Sequence, residues 1–297
     1  MSSETPTIPA NLPMPITAPL TPAQRAQLIN LVRRAARSEI LPRFRTLGRG
    51  DIATKRDDQD LVTEADRQAE KMIARGIARN FPHALIIGEE DISANPEKLD
   101  KIAEAEMTFT IDPVDGTWNF AHGLGLFGVI ISVLRFGRPV FGLLYDPLLD
   151  DWIVADKTSP ALIMRPQSRA KPVNVSQGGP VETLKGCVPL YTLPERHRAA
   201  AAAVFPRFAR AVMLRCSCHD FRMLAQGHVD FTLSAALTPW DHAAGALITA
   251  RAGGHVAMLD GSDYRADLRD GYLLCASDAA TWARVAEVFA FLLKNEA

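Results

Sequence analysis

Carboxylates in this chain recur where apolar segments end or helices begin. Glu89, Glu90 and Asp91 follow the apolar run Ala84–Ile87 and Gly88, and Asp112 and Asp115 follow the run Met107–Ile111. Asp66 and Asp241 fall in the first turns of helices predicted to start after Thr63 and Thr238. Strand ends and helix starts are where open α/β sheets place their ligands. If these four segments converge, like charges crowd one pocket and stay ionised only beside a cation. An all-oxygen set of Asp, Glu and a backbone carbonyl suits a hard cation, magnesium above all. Two such ions can activate a water, clamp a phosphate and stabilise a leaving oxygen.

Each segment also has a purely structural explanation. Thr63-x-x-Asp66 and Thr238-x-x-Asp241 both fit capping boxes, and Glu89-Glu90-Asp91 fits a solvated acidic turn. Asp112-Pro113 fits a turn after a strand, with Gly116 supplying a positive φ. These explanations do not account for all four segments sharing strand-end or helix-start positions. Other motifs fail on context. Gly123-Leu-Gly125-Leu-Phe-Gly128 has the spacing of a dinucleotide fingerprint, but it precedes an apolar strand instead of following one. Asp112 and Asp115 stand three apart, not the two of the D-x-D-x-T loop of haloacid dehalogenase-type phosphatases, nor can both be EF-hand ligands ahead of Gly116.

The elements that must carry these residues alternate. A helix is predicted from Pro22, with Thr21 as N-cap and Gln24 completing a capping box, until Pro42 ends it. A second helix follows Thr63, with Ala69, Met72, Ile73 and Ile77 at helical spacing. Strands are predicted at Ala84–Ile87 and Met107–Ile111, then a hairpin of Phe127–Phe136 and Pro139–Tyr145, extended by Trp152–Ala155. Beyond these, helices are predicted from Glu195, over Phe221–Gly227, over Pro239–Ala252 and from Ala279, with strands at Val229–Leu233 and Tyr272–Ala276. Helices and strands mixed with hairpins argue for an α+β or layered α/β fold. The expected organisation is a proline-rich arm over 1–22, a metal-binding half over 23–157 and a completing half over 158–297.

Composition excludes several classes. The 297 residues are 47% hydrophobic and 23% charged, as in globular chains and not collagen-like or disordered ones. With 33 basic and 34 acidic residues the net charge is -1, so binding of nucleic acid through bulk charge is not expected. Four cysteines are too few for a disulfide framework, and Cys216-x-Cys218 without a second pair is a poor zinc signal. The first 22 residues lack a basic start and an apolar core, and the longest uncharged apolar stretch, about Gly123–Leu134, is shorter than a membrane span. A cytoplasmic location with no membrane partner is expected.

Four blocks together resemble the inositol monophosphatase family of magnesium-dependent, lithium-sensitive phosphatases. Asp112-Pro-Val-Asp115-Gly-Thr117-Trp-Asn-Phe120 matches its D-P-[IV]-D-G-T-x-N-F signature, and Trp240-Asp241-His242-Ala243-Ala244-Gly245, running to Ala252-Gly253-Gly254, matches its second signature. Asp60-Leu61-Val62-Thr63 with Asp66 matches D-L-V-T-x-x-D, and Gly88-Glu89-Glu90 matches the G-E-E loop. The blocks occur in family order after the N-terminal arm.

The resemblance implies a layered α/β/α/β sandwich with two sheets, as a homodimer. It implies that Glu89, Asp112, the Val114 carbonyl, Asp115 and Asp241 hold two or three Mg2+ ions. Asp66 and Thr117, assisted by Glu89, would then orient or deprotonate a water for direct in-line attack, with no covalent intermediate. The same resemblance places Asp115, the Gly116 and Thr117 amides and Asp241 on the substrate, and Lys55 near the metals. The implied activity is hydrolysis of a small phosphate ester: inositol monophosphate, histidinol phosphate, fructose 1,6-bisphosphate or a 3'-phosphorylated adenosine nucleotide. Departures lie where the family reads its substrate. Its G-[ST]-A-A segment falls on Arg215-Cys216-Ser217-Cys218, and its acidic polyol-binding residue on Ser234, which removes an acceptor. Arg215 would bind a second anionic group or form a structural ion pair. Cys216 and Cys218 are expected to be packed, and His242 half-exposed on its helix. Two rival functions stay open: a covalent aspartyl-phosphate phosphatase using Asp112, and a catalytically weak scaffold or RNA-associated interaction protein.

Overall fold

Local signals set the first helices. In the computed structural model, which describes residues 19–48, 50–54 and 61–294, Thr21 caps α1 (Pro22–Ala35). Its hydroxyl accepts from Gln24 N, while Thr21 N donates to the Gln24 side chain. Leu28, Leu31, Val32 and Ala35 are buried on one face. The chain then passes through a π turn at Ala36–Ile40 and a tight turn at Leu41–Arg43. Most of the arm, with Lys55 and Asp60, lies outside the described residues. A ribbon of β1 (Ile52–Thr54) and β2 (Leu61–Thr63) leads into α2 (Glu64–Asn80), which buries Ala65, Ala69, Ile73 and Ile77. After it, β3 (Leu85–Gly88) runs directly into the short helix α3 (Glu89–Ala94).

The strand that carries the aspartates differs from expectation. It does not stop at Ile111: β4 (Thr108–Asp115) is buried along its whole length and continues through the aspartates. Asp112 pairs with Ile130 and Asp115 with Gly128, with an irregularity between them. Pro113 has no N–H for the ladder, and a bulge is where a sheet can accommodate that loss. The short helix α4 (Thr117–Ala121) follows, then an antiparallel run of β5 (Gly128–Arg135), β6 (Arg138–Asp146), β7 (Asp151–Asp156), β8 (Ser159–Met164) and β9 (Lys171–Pro172). These strands form a seven-stranded sheet in the order β3-β4-β5-β6-β7-β8-β9, parallel only at β3/β4. Its hydrogen bonding continues past residue 157.

The remaining chain builds a second sheet. It comprises β10 (Lys185–Cys187), α5 (Glu195–Val204), β11 (Arg210–Val212), α6 (Ser217–Ala225), β12 (Phe231–Ser234), α7 (Pro239–Arg251), β13 (His255–Met258), β14 (Leu273–Ala276) and α8 (Ala279–Phe289). The five strands run in the order β11-β10-β12-β14-β13. Helices α6 and α7 lie between the two sheets, with Phe221, Leu224, Ala244 and Ile248 packed against Ile130, Leu144 and Cys275. Close packing here needs small residues: a Cβ on Gly142 of β6 would stand 2.9 Å from Ala244 Cα on α7. α1 and α2 cover the other face of the large sheet. The layered α/β arrangement is therefore as expected, and α5 and α8 close the outer face of the small sheet. Among the described residues no helix is long and apolar enough to cross a membrane.

Candidate active site

The bulge in β4 turns the D-x-x-D pair into a carboxylate cluster. Ligand oxygens of Asp112, Asp115 and Asp241 all lie within 4.8 Å of one another. Asp112 is 1% exposed and Asp115 7%. The Asp112 Oδ1 accepts from Val114 N at 3.1 Å, which orients it inside the bulge. Asp241 arrives from the first turn of α7, 126 residues beyond Asp115 by their numbers in the chain. Thr238 does not cap that helix as expected; its hydroxyl instead donates to Asp241 Oδ2. The hydroxyl gives its proton to the Asp241 side chain instead of accepting from the amides of the first turn.

The start of α6 supports Asp115 directly. Ser217 N donates to Asp115 Oδ1 at 3.1 Å, Cys218 N donates to Oδ2, and the Cys216 thiol donates to Oδ2 at 3.1 Å. A helix N-terminus facing a carboxylate is electrostatically favourable. Even so, burial first, and then Asp241, push the Asp115 carboxyl up to about 8, while those three donors pull the other way. Asp112 is raised well above the usual carboxylate range by burial, then by Glu89, Asp115 and Asp241. A pocket that keeps acids protonated for want of positive charge fits a divalent cation, and the all-oxygen donor set fits magnesium. Cys216 and Cys218 are packed as expected, and burial raises both thiols.

Asp66 and Thr117 sit at the edge of this cluster. Asp66 Oδ2 accepts from Thr63 N at 2.9 Å and Thr63 Oγ1 at 2.5 Å, so the capping box is real. Its other oxygen accepts from Thr117 Oγ1 at 3.2 Å, a hydroxyl also 3.1 Å from the Val114 carbonyl. Capping and a place in the site are thus compatible. Gly116 holds φ +89° before α4, and a Cβ there would come 2.7 Å from the Leu126 carbonyl. Glu89 is not in a solvated turn: it opens α3 and lines the same cavity as Asp115, Thr117 and Asp241.

The cavity, about 260 Å³, extends from the cluster toward Arg215 and Ser234, which both line it. Arg215 has its guanidinium carbon 4.3 Å from the Trp118 ring centre and 5.0 Å from that of Tyr191. Cation–π contact on two rings holds the charge at the cavity wall. His242 is buried at 4% exposure, against expectation, because α7 is enclosed between two sheets; its Nδ1 lies 2.9 Å from the Thr238 carbonyl.

Sequence reasoning missed Glu70, which shapes the site from behind. Its oxygens accept from Glu90 N at 2.8 Å and Asp91 N at 2.9 Å, so a residue of α2 caps the helix that starts at Glu89. Burial pushes Glu70 up to about 7. The available signal was an acidic residue next to Ala69 on the apolar stripe of α2. Tyr191 and Asp220, which also line the cavity, carried no motif.

Comparison with known proteins identifies the family and the fold. The model of the inositol monophosphatase family matches residues 21–293. A Thermotoga maritima protein named fructose-1,6-bisphosphatase/inositol-1-monophosphatase is 30% identical over 220 residues, covering 74% of this chain and 80% of the relative. A Vibrio cholerae protein named Nus factor SuhB is 30% identical over 235 residues, covering 75% of this chain and 80% of the relative. Among solved structures, the IMPase of Thermotoga maritima superposes with a TM-score of 0.76 at 24% identity, covering 91% of this chain and 98% of that one. The extragenic suppressor protein SuhB of Bartonella henselae gives 0.71 at 23% identity, with 92% and 99% covered. The structural matches carry the fold, and the family match spans nearly the whole chain. The chain belongs to the inositol monophosphatase family, whose members are phosphoric monoester hydrolases.

Proposed function

We propose that this protein is a magnesium-dependent phosphomonoesterase that hydrolyses a small phosphate ester by direct attack of water. The observation that carries the reading is the convergence of Asp112, Asp115 and Asp241 within 4.8 Å beside Glu89 and Thr117. Glu89, Asp112, the Val114 carbonyl, Asp115 and Asp241 would hold two or three Mg2+ ions. Bound there, magnesium neutralises the carboxylates and polarises both water and phosphate. Thr117 and Asp66 orient the attacking water, and Asp66 Oδ1 receives its proton through the Thr117 hydroxyl. The Gly116 and Thr117 amides hold phosphate oxygens, a use of backbone donors that a glycine at positive φ permits. Arg215 carries the selectivity for a second anionic group, and Ser234 leaves no carboxylate for a polyol at its position.

Asp112 is a ligand in this reading and not a nucleophile, since its oxygens turn into the cluster and to Val114 N. Homodimer formation belongs to the same reading. Exposed Leu124, Leu126, Leu148 and Leu149 support it, with Leu148 lying against Gly125. The free, buried state of Cys187, Cys216, Cys218 and Cys275 supports a reducing, cytoplasmic setting. The likeness to proteins named Nus factor SuhB favours a second reading, an interaction protein with little turnover. Phosphate release from inositol monophosphate, histidinol phosphate, fructose 1,6-bisphosphate and a 3'-phosphoadenosine nucleotide, with and without Mg2+, separates the two. Turnover of at least one ester only with Mg2+ supports the hydrolase; none on any ester supports the interaction protein.

A further inference from the structure

Part of the cavity lining is not used by the hydrolytic machinery. Asp220, on the first turns of α6, lines it together with Cys187 and Thr232. Cys187 and Thr232 are register partners on the adjacent parallel strands β10 and β12, so they present one patch of the small sheet to the helix. The Oδ1 of Asp220 is buried and has no hydrogen-bond partner among the described residues, the Cys187 thiol being the one group bonded to that carboxyl, and Thr232 Oγ1 is buried with only the Cys275 thiol to bond to. Such atoms forfeit their hydration without compensation unless a ligand supplies a partner.

The charge around Asp220 is equally unbalanced. Its basic neighbours on α6 face elsewhere: Arg222 donates to Asp151 and the Leu144 carbonyl, and His219 lies 3.1 Å from the Phe127 carbonyl and 3.9 Å from Asp146. Arg215 is held over Trp118 and Tyr191. Burial pushes the Asp220 carboxyl up to about 7, with only the Cys187 thiol opposing it. A buried acid with no cation of its own is poised to take one from a ligand.

We infer that Asp220, with Thr232, forms a subsite for a protonated amine on the alcohol part of the substrate. The inference rests on the phosphatase reading of the cluster and narrows its candidate substrates to one class, phosphate esters of amino alcohols, through a subsite that the reading did not assign. The ester phosphate sits at Asp115 and Asp241, and the ammonium group donates to Asp220 Oδ1 and Thr232 Oγ1 in the same cavity. Selectivity of this kind is strong, because a neutral competitor leaves the buried acceptors unpaired.

The test compares ethyl, propyl and butyl phosphate with 2-aminoethyl, 3-aminopropyl and 4-aminobutyl phosphate in the presence of Mg2+. At least one amino ester is expected to exceed its alkyl counterpart about tenfold or more in kcat/KM, and Asp220→Asn to bring that ratio within about twofold of one. Calorimetric binding of the matching aminoalkyl and alkyl phosphonates should show the same preference without turnover. No preference at any chain length, or a preference that survives in Asp220→Asn, overturns the subsite. If no ester is hydrolysed the phosphatase reading fails, and the phosphonate comparison still decides whether Asp220 binds an amine. Should Asp220→Asn fail to fold by circular dichroism, Thr232→Val takes its place, with a reduced amine preference expected and an unchanged one overturning.

Discussion

The Thr117 hydroxyl lies 3.2 Å from Asp66 Oδ1, joining the first residue of α4 to the first turn of α2, 51 residues earlier in the chain. The same hydroxyl is 3.1 Å from the Val114 carbonyl inside the β4 bulge. Thr117 therefore touches both the proposed proton acceptor and the backbone of the proposed ion site. Thr117→Val is isosteric and removes only the hydroxyl. With Mg2+ present, kcat should fall by about a hundredfold or more while KM moves little, the size expected for a lost proton-transfer group. Steady-state kinetics on the best ester from the phosphate-release screen measures both, and a change confined to KM would count against the assignment.

Magnesium should stabilise the fold in a pH-dependent way. Asp112 and Asp115 are raised in the folded state, so the folded chain keeps protons that the unfolded chain has released. For such acids stability is greatest at low pH and falls as pH rises from about 4 toward 8, while divalent binding displaces the protons. The rise in Tm on adding Mg2+ should thus be larger at about pH 8 than at about pH 6. Thermal unfolding at the two pH values checks this, and an increment that shrinks with pH contradicts the ion site.

Glu70 should act on the site through α3. Glu70→Ala strands the Glu90 and Asp91 amides, at a cost of about 1–3 kcal/mol each where buried. The expected outcome is a lower Tm together with a higher Mg2+ concentration for half-maximal activity, because Glu89 opens the helix that Glu70 caps. Glu70→Gln, which keeps one acceptor oxygen, should recover part of both. A Tm loss with an unaltered magnesium titration would confine Glu70 to stability.

Arg215 should sort substrates by charge. Arg215→Met keeps bulk against Trp118 and Tyr191 but removes the cation. KM for a doubly anionic ester should rise about tenfold or more, with a smaller change for a monoester of a neutral alcohol. Parallel kinetics on fructose 1,6-bisphosphate and propyl phosphate read the difference; equal losses on both would make Arg215 a packing residue.

The exposed leucines should mark the dimer contact. Leu149, 69% exposed, and Leu148, 43% exposed, sit within the turn between β6 and β7. Leu149→Asp introduces a charge that an apolar interface would have to bury, so sedimentation should shift from dimer to monomer. A wild-type chain already monomeric at micromolar concentration removes the proposal.

The sequence alone carried the family, the α1 and α2 starts, the apolar strands and most of the residues that come together at the candidate site. It did so because caps, periodicity and the spacing of Asp112, Asp115 and Gly116 are local and survive without knowledge of partners. Local reading failed where one element answers to a distant one. β4 runs through Pro113 because the pairing with β5 tolerates a bulge, Thr238 turns from its helix to Asp241, and His242 is buried because two sheets enclose α7. Strands as short as β10 and β11 have too few residues for any period to register. Only the tertiary structure brought Glu70 behind Glu89, and Asp220 beside Cys187 and Thr232. A lone acidic residue reads as solvated until the elements that exclude water from it are in place.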